Sequence, residues 1–207
     1  IDTRMLDQWK TNFLNNKVDE RKLSPVTFNI VLRMLLASFN LAVKWGYLEE
    51  NPFRKVGKVK VQEKRLFLTD SEVDRLFEVI GADVAKAEEP RLQQSIKKMK
   101  CLFEFLLNTG LRRGEALNLR MENVDLRENL IYVKETKGKW DRSVPLTFRA
   151  RGIIQDLGNN LFLGMDKDYV SQRFAGYLRK AGLSGFKLHS LRHTFGTRLH
   201  RAGVDIY

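Results

Sequence analysis

The sequence contains a single cysteine, Cys101, among its 207 residues. One thiol cannot form an intramolecular disulfide, and it cannot build a zinc site of the kind that needs several cysteines. Disulfides are common in oxidising compartments, so the low cysteine content suits a reducing compartment. The expected location is therefore the cytoplasm.

The sequence also has few extended apolar stretches. No run looks long enough to span a bilayer and the start is not signal-like, so we expect neither a membrane anchor nor a secretory leader. Hydrophobic residues nevertheless make up 43% of the chain, which is enough to bury one substantial core and a smaller second one. With neither internal repeats nor low-complexity tracts, these features predict a soluble globular protein.

Acidic side chains are few relative to basic ones. The chain carries 25 acidic and 37 basic residues, which give a formal net charge of +12 and a pI near 9.9. Residues 1–60 hold 11 basic and 6 acidic side chains, and residues 61–207 hold 26 and 19. Both parts could therefore face one polyanion such as nucleic acid, as a clamp would. A generally basic, solvated surface fits the composition as well.

The N-terminal part of the chain has helical periodicity. Apolar residues recur at helical spacing near its beginning and again after Ser24 and Pro25, which are typical of a helix N-cap and first turn. Gly46 is expected to end this second helix. We predict a helical domain over residues 1–56 and a basic linker over 57–66, which is either simply exposed or crosses a phosphate backbone.

The remainder of the chain, residues 67–207, combines helices with a short stretch of period two. The pattern TDSE at Thr69–Glu72 is a capping box and predicts a helix start. Further helices are expected at Pro90–Leu107, Glu115–Leu119, Thr147–Leu157, Lys167–Ala181 and from about His189. Strands of a hairpin or small meander are expected at Asn129–Glu135 and Arg142–Leu146. The predicted fold class is mainly α with a small antiparallel sheet.

Two basic segments are candidates for phosphate binding. The first, TGLRRGE at Thr109–Glu115, places Arg112 between a helix that stops at glycine and a second helix. There its guanidinium can present donors to a phosphate without backbone movement. The second, KLHSLRH at 187–193, puts His189 and Arg192 three residues apart, so that both point the same way on a helix and can reach one anion. We expect the two segments to meet on one phosphate group of DNA.

His189 and His193 are four residues apart and could also suggest a metal pair. No glutamate lies between them to act as a base, and Arg192 would repel a cation. Lone histidines are, moreover, usually structural. No carboxylate cluster suited to a metal pair is evident elsewhere in the sequence. The pattern favours an anion site over zinc, and we expect no metal and no other cofactor.

In combination, these segments resemble the tyrosine recombinase (phage integrase) family. Three segments are similar in order and spacing to three family motifs. They are the residues at 109–115, Lys137 in a hairpin tip before SVPL at 143–146, and HSLRH at 189–193. Those motifs are the first arginine box, the hairpin lysine and the His-x-x-Arg box. The run from Ser24 to Pro52 is similar to the helical core-binding domain of integrases. The resemblance covers nearly the whole chain.

The resemblance implies site-specific recombination of double-stranded DNA through a covalent 3′-phosphotyrosyl intermediate, without metal or nucleotide energy. It implies that Arg112 and Arg192 clamp the non-bridging phosphate oxygens. It implies that Lys137 is the general acid for the leaving 5′-oxygen and that His189 is an acid/base and hydrogen-bonding partner. It further implies a helical DNA-binding domain, a mixed α/β catalytic domain, a tetramer on paired sites and accessory DNA-bending proteins.

Other residues are expected to support this site or to contact DNA. Glu115 is expected to support Arg112 or the start of its helix, and His193 to support the same site. Candidates for contacts with the DNA backbone, with a solvated role as the alternative, are Lys44, Arg113, Lys139 and Arg142. Lys139 also competes with Lys137 for the catalytic position.

The nucleophile is the point at which the sequence departs from the family. The family uses a tyrosine well after the His-x-x-Arg box, preceded by a Leu-Gly-His type box, and neither is present here. Tyr207 comes too early in that pattern, and Tyr132, Tyr169 and Tyr177 suit strand or core positions better. We expect that a C-terminal segment with the nucleophile lies outside this sequence. Otherwise the protein is a non-catalytic DNA-binding relative, with a type IB topoisomerase-like enzyme as a more distant alternative.

Overall fold

The computed structural model describes residues 2–15, 17–18, 21–62, 65–134, 142–159 and 161–205. The helices in these ranges are α1 Thr3–Asn15, α2 Pro25–Lys44, α3 Asp70–Lys86, α4 Pro90–Thr109, α5 Arg113–Leu117, α6 Phe148–Leu157, α7 Lys167–Lys180 and α8 His189–Arg201. The strands are β1 Lys17–Val18, β2 Arg21–Lys22, β3 Val124–Asp125, β4 Leu130–Val133 and β5 Arg142–Pro145. Two 3₁₀ turns lie at Pro52–Lys55 and Met121–Asn123. The predicted class, mainly α with a small antiparallel sheet, is confirmed.

Tertiary contacts divide the chain into two compact units, Ile1–Lys64 and Arg65–Tyr207. The first residues of the predicted linker belong to the N-terminal unit. The side-chain amide of Asn29 donates to the carbonyl of Val59 at 2.8 Å and accepts from its N–H at 2.9 Å. Lys10 Nζ also donates to the carbonyl of Gly57 at 3.1 Å. These bonds fix residues 57–59 against α1 and α2.

Aromatic side chains form the core of the N-terminal unit. The ring of Trp9 lies 5.3 Å from that of Phe28 and 5.7 Å from that of Phe53, between ring centroids. Ser24 caps α2 by accepting the N–H of Thr27 at 3.1 Å, which confirms the predicted N-cap. The unit therefore begins its long helix where the sequence pattern indicates.

Helix α2 corrects the expectation about apolar runs. Among the described residues it is a helix long and apolar enough, by length and composition, to cross a bilayer. Core helices share this composition, and Phe28 and Leu32 of α2 are fully buried against the rest of the unit. Another face of the helix is apolar and exposed, with Val26 and Met34 at 47% and 64% of their accessible surface.

Helix α4 is the centre of the C-terminal unit. It packs against α3, α6 and α8, and its side chains Leu102, Phe103 and Phe105 are fully buried. The helix runs to Thr109, two residues beyond its predicted end, because Gly110 is the residue that adopts the left-handed conformation and stops it. The neighbouring α3 begins with the predicted capping box at Thr69–Glu72, which is confirmed.

A three-stranded antiparallel sheet follows, in the order β3-β4-β5. Ile131 pairs with Val144, and Val133 pairs with Arg142. Ile131 and Val133 are buried, so this face of the sheet lies on the core. Predicted residues at the hairpin tip, Lys137 and Lys139, and the terminal Tyr207 lie outside the described residues.

The short helix after the first basic segment starts earlier than predicted. Helix α5 spans Arg113–Leu117, whereas the sequence pattern suggested Glu115–Leu119. Glu115 is in its first turn, where its carboxylate reaches back to the N–H of Arg112 at the N-cap. The carboxylate thereby satisfies a donor that the helix itself cannot satisfy.

Candidate active site

The first basic segment is shaped by the glycine that ends α4. Gly110 has φ 63° and donates its N–H to the carbonyl of Leu106 at 3.0 Å. A Cβ at this position would come within 2.4 Å of Cδ1 of Phe195 in α8. Both the backbone conformation and the packing of α8 therefore require glycine here. The next turn of chain places Arg112 at the N-cap of α5 with its side chain 54% exposed.

Glu115 binds one arginine of this segment, Arg112, and one arginine of the sheet, Arg142. Its Oε2 accepts the backbone N–H of Arg112 at 2.7 Å and Nη2 of Arg142 at 2.8 Å, and its Oε1 accepts Nη1 of Arg112 at 2.9 Å. Burial alone would raise the pKa of this carboxyl, but the bonds from Arg142 and Arg112 outweigh it and hold the pKa below its usual 4.5. Glu115 is therefore ionised at neutral pH and in contact with Arg112.

The second basic segment forms the start of α8. His189 is its first residue, and the guanidinium of Arg192, one turn on, donates to the carbonyl of Gly110, 82 residues earlier in the chain. The buried Thr194 fixes the helix, since its hydroxyl accepts the N–H of Leu68 at 2.9 Å and donates to the carbonyl of Ser190 at 2.8 Å. The structure thus brings the two predicted basic segments together.

Positive charge is concentrated where these segments meet. Burial lowers the pKa of Arg192 below its usual value, and the charges of Arg112 and Arg142 lower it further, opposed by Glu115. Burial likewise lowers the pKa of His189 below 6.5, and the charges of His193, Arg192 and Arg112 act in the same direction. A bound anion would relieve this repulsion, so the site is electrostatically suited to phosphate.

His189 and His193 lie side by side, with ring centroids 4.7 Å apart and perpendicular planes. Within the described ranges, no group of three histidine, cysteine, aspartate or glutamate side chains is placed to hold a metal ion. The depressed pKa of His189 leaves its imidazole neutral at pH 7. A neutral imidazole can accept a proton as well as donate one, which is the property an acid/base group needs.

The two arginines border adjacent clefts. A cleft of about 380 Å³ is lined by Arg192 and His189, and a second of about 440 Å³ by Arg112 and Glu115. Leu111 is common to both walls. The apolar part of the lining of the first cleft consists of Leu106, Leu111, Phe174, Ala175, Phe186 and Leu188.

Two predicted DNA contacts have partners inside the protein. Arg113 donates to the carbonyl of Lys167 at 2.9 Å and to the hydroxyl of Ser171, which ties α5 to α7. Arg142 binds Glu115. Lys44 is exposed in the last turn of α2. As DNA contacts, these residues stay predictions.

The bond between Arg142 and Glu115 was not expected from the sequence, although one signal was available. Side chains alternate between the two faces of a strand, so Arg142 shares a face with Val144. Val144 pairs with the fully buried Ile131. Alternation with the apolar Val144 is the signal in the sequence, and the pairing of Val144 confirms that Arg142 lies on the core side of β5.

Comparison with known proteins places these features in a wider group. The profile of the phage integrase family matches residues 67–207. The shufflon-specific DNA recombinase of Escherichia coli is 32% identical over 90% of this chain and 48% of its own length. Tyrosine recombinase XerC of Bacillus subtilis is 30% identical over 90% of this chain and 66% of its own length. The chain thus spans about half to two thirds of these relatives.

Solved structures share the fold. The Tn1549 transposon integrase in complex with circular intermediate DNA superposes with a TM-score of 0.75 and 20% identity, covering 100% of this chain and 75% of that one. A lambda integrase dimer bound to a COC′ core site gives a TM-score of 0.68 and 15% identity, over 98% of this chain and 73% of that one. At these identities the likeness concerns the fold.

Proposed function

Because the chain belongs to the phage integrase family, we propose that the protein is a site-specific DNA recombinase that cleaves and rejoins strands through a 3′-phosphotyrosyl intermediate. The observation that carries the proposal is the bond from Arg192 to the carbonyl of Gly110. It brings the His-x-x-Arg box to the first arginine box, and this proximity supports a site in which Arg112, Arg192 and His189 act on one phosphate.

The proposed reaction moves a phosphoryl group between two oxygens. A tyrosine hydroxyl attacks phosphorus, the phosphotyrosyl bond forms, and the bond from phosphorus to the 5′-oxygen breaks. Negative charge builds on the non-bridging oxygens in the transition state, where Arg112 and Arg192 would stabilise it. His189 would take up the tyrosine proton, and Lys137 would protonate the leaving 5′-oxygen. We assign no residue of this chain as the nucleophile.

The proposed partner is double-stranded DNA, with assembly of a tetramer on paired sites and accessory DNA-bending proteins. Support comes from the net charge of +12 and from fold neighbours that were solved in complex with DNA, one of them as a dimer. Sequence-independent binding to a duplex is mainly electrostatic, so basic side chains in both units suit this partner. The proposed location is the cytoplasm.

The test uses the full-length protein and a nicked suicide substrate that carries its cognate site. Wild type should form a protein–DNA adduct that survives denaturation. Arg112→Ala and Arg192→Ala should each lower adduct formation by about 10²–10³-fold, the cost of removing one transition-state donor, while duplex binding is largely kept. Arg75→Ala, which removes an exposed arginine of α3, is the matched control and should react like wild type.

Each other outcome has a defined meaning. Normal cleavage by both variants would show that the active-site assignment is wrong. No adduct with wild type on its cognate site would indicate a DNA-binding protein without recombinase chemistry. Relaxation of supercoils without joining of sites would indicate an enzyme of the type IB topoisomerase kind.

A further inference from the structure

Glu115 joins two segments that are distant in sequence. Arg112 lies at the N-cap of α5, and Arg142 is the first residue of β5, 27 positions after Glu115. One carboxylate oxygen, Oε2, accepts both the backbone N–H of Arg112 and Nη2 of Arg142. The other, Oε1, accepts Nη1 of Arg112. Three hydrogen bonds therefore hold the carboxylate of Glu115.

The sheet determines where the side chain of Arg142 goes. Arg142 is paired with Val133 of β4, and directly opposed residues of antiparallel strands project from the same face. Val133 is 7% exposed, so Arg142 projects toward the core side and its side chain is only 31% exposed. A surface role would have placed it on the opposite face, with Ser143 and Pro145.

The contact constrains the guanidinium of Arg112. A carboxylate that is free to rotate would hold one arginine in several orientations, whereas one fixed by a second arginine presents Oε1 in a single direction. The bond to Arg112 is charge-assisted and therefore stronger than a neutral one, so it holds Nη1 of Arg112 at Oε1. Arg142 thereby acts on Arg112 through an intermediate group.

We propose that Arg142 is a positioning residue for recombination, which holds Glu115 so that Glu115 holds the guanidinium of Arg112 against the scissile phosphate. The inference rests on the proposed function, since positioning has meaning only if Arg112 acts on phosphate. It assigns Arg142 a role inside the site, in place of the contact with the DNA backbone that the sequence suggested.

The first experiment measures single-turnover adduct formation by the full-length protein at saturating DNA. Arg142→Ala should slow the reaction by about 10–100-fold, the usual effect of removing a supporting partner of a site, with duplex affinity unchanged. Arg142→Lys keeps a single cationic donor for Oε2 and should recover most of the rate. The matched control is Arg151→Ala, which removes an arginine bonded to Asn129 at 2.6 Å, and it should react normally.

A double variant tests whether Arg142 acts through Glu115. If it does, Arg142→Ala combined with Glu115→Gln should react no more slowly than Glu115→Gln alone. A purely structural role of Arg142 would instead give effects that add, and a phosphate contact would appear as weaker binding of DNA.

The second experiment does not depend on activity. Among the described residues, the charged groups that face Glu115 are Arg112, Arg142 and Arg192. NMR titration of the Glu115 carboxyl in this chain should give a pKa below 4.5 in wild type, raised in Arg142→Ala because a positive neighbour is lost, and unchanged in Arg151→Ala.

The outcomes separate the two proposals. If wild type forms the adduct and Arg142→Ala forms it equally fast, or loses affinity instead of rate, the positioning role is refuted. If the pKa of Glu115 is the same in Arg142→Ala as in wild type, the positioning role is refuted as well. If wild type itself forms no adduct, the recombinase function fails, and this is recognised from the wild-type reaction alone.

Discussion

Arg192 donates a hydrogen bond from its guanidinium to the backbone carbonyl of Gly110. The carbonyl belongs to the residue that ends α4 in the left-handed conformation, so the position of the acceptor is set by the end of that helix. Because of this bond, the orientation of Arg192 in the second basic segment depends on the position of Gly110 in the first. Displacement of Gly110 would move the acceptor and leave Arg192 without its orientation.

Gly110→Ala should therefore be strongly destabilising. The left-handed φ of 63° costs a residue with a Cβ about 1–2 kcal/mol. The added methyl would also collide with the ring of Phe195, and overpacking of this kind typically costs about 1–3 kcal/mol. The measurement is the urea midpoint of this chain, and adduct formation by the full-length protein should fall in parallel.

Substitutions at two other glycines separate the cost of the left-handed backbone from the cost of the contact with Phe195. Gly182 has a similar φ of 68° with open space around a Cβ, so Gly182→Ala reports the backbone cost alone. Gly114 lies in α5 without a positive φ and also with open space, so Gly114→Ala should be stabilising by about 0.5–1 kcal/mol. If Gly110→Ala were no worse than Gly182→Ala, the packing argument at Phe195 would be refuted.

Thr194→Val should loosen the start of the site-bearing helix. The hydroxyl of Thr194 accepts the N–H of Leu68 and is 1% exposed as a residue, so an isosteric valine leaves that buried N–H without its acceptor. The expected loss is about 1–3 kcal/mol in the free energy of unfolding. Thr197→Val, a half-buried position of the same helix, should change it by less than about 0.5 kcal/mol. Equal effects would contradict the role given to the hydroxyl.

Features set by neighbouring residues were predictable from the sequence. The capping box at Thr69–Glu72 and the N-cap at Ser24 are encoded within four residues, and both are present. The end of α4 at Gly110 was expected for the same reason, although the helix runs two residues further than its apolar stripe. Short-range chemistry of this kind does not depend on the rest of the fold.

Features set by distant residues were not predictable in this way. The contact of Arg113 with Ser171 spans 58 positions, and its existence depends on how α5 and α7 pack. The predicted start of α5 at Glu115 is wrong, because the helix begins at Arg113 and Glu115 reaches back to Arg112 from its first turn. The apolar length of α2 was underestimated because Asn29, Arg33 and Asn40 interrupt its apolar residues.

The titration of His189 should reflect its cationic surroundings. Burial and the charges of His193, Arg192 and Arg112 lower its pKa below 6.5, so the imidazole is neutral at pH 7 and becomes charged only at more acid pH. Between pH 6.5 and the folded pKa the unfolded state binds more protons than the folded state, so the free energy of unfolding decreases as pH falls through this range. NMR titration of the ring should show the lowered value.

A change of charge near His189 tests the assignment. Arg112→Gln removes one positive neighbour and should raise the pKa of His189, and a bound DNA duplex should raise it further by adding negative charge. Arg179→Ala, in the last turn of α7, is the control and should leave it unchanged. A value at or above 6.5 in free wild type would contradict the proximity of the cationic groups.

Arg113→Ala distinguishes a structural arginine from a phosphate contact. Arg113 bonds to the carbonyl of Lys167 and the hydroxyl of Ser171, so its loss should lower the free energy of unfolding by about 1 kcal/mol, and Ser171→Ala should reproduce part of that loss. Because these bonds turn the guanidinium toward α7, the dependence of duplex binding on salt should keep its slope. Lys44→Ala, at an exposed lysine, should reduce the slope by about 1 if that residue meets a phosphate. A reduction of the same size in Arg113→Ala would show that Arg113 also binds DNA.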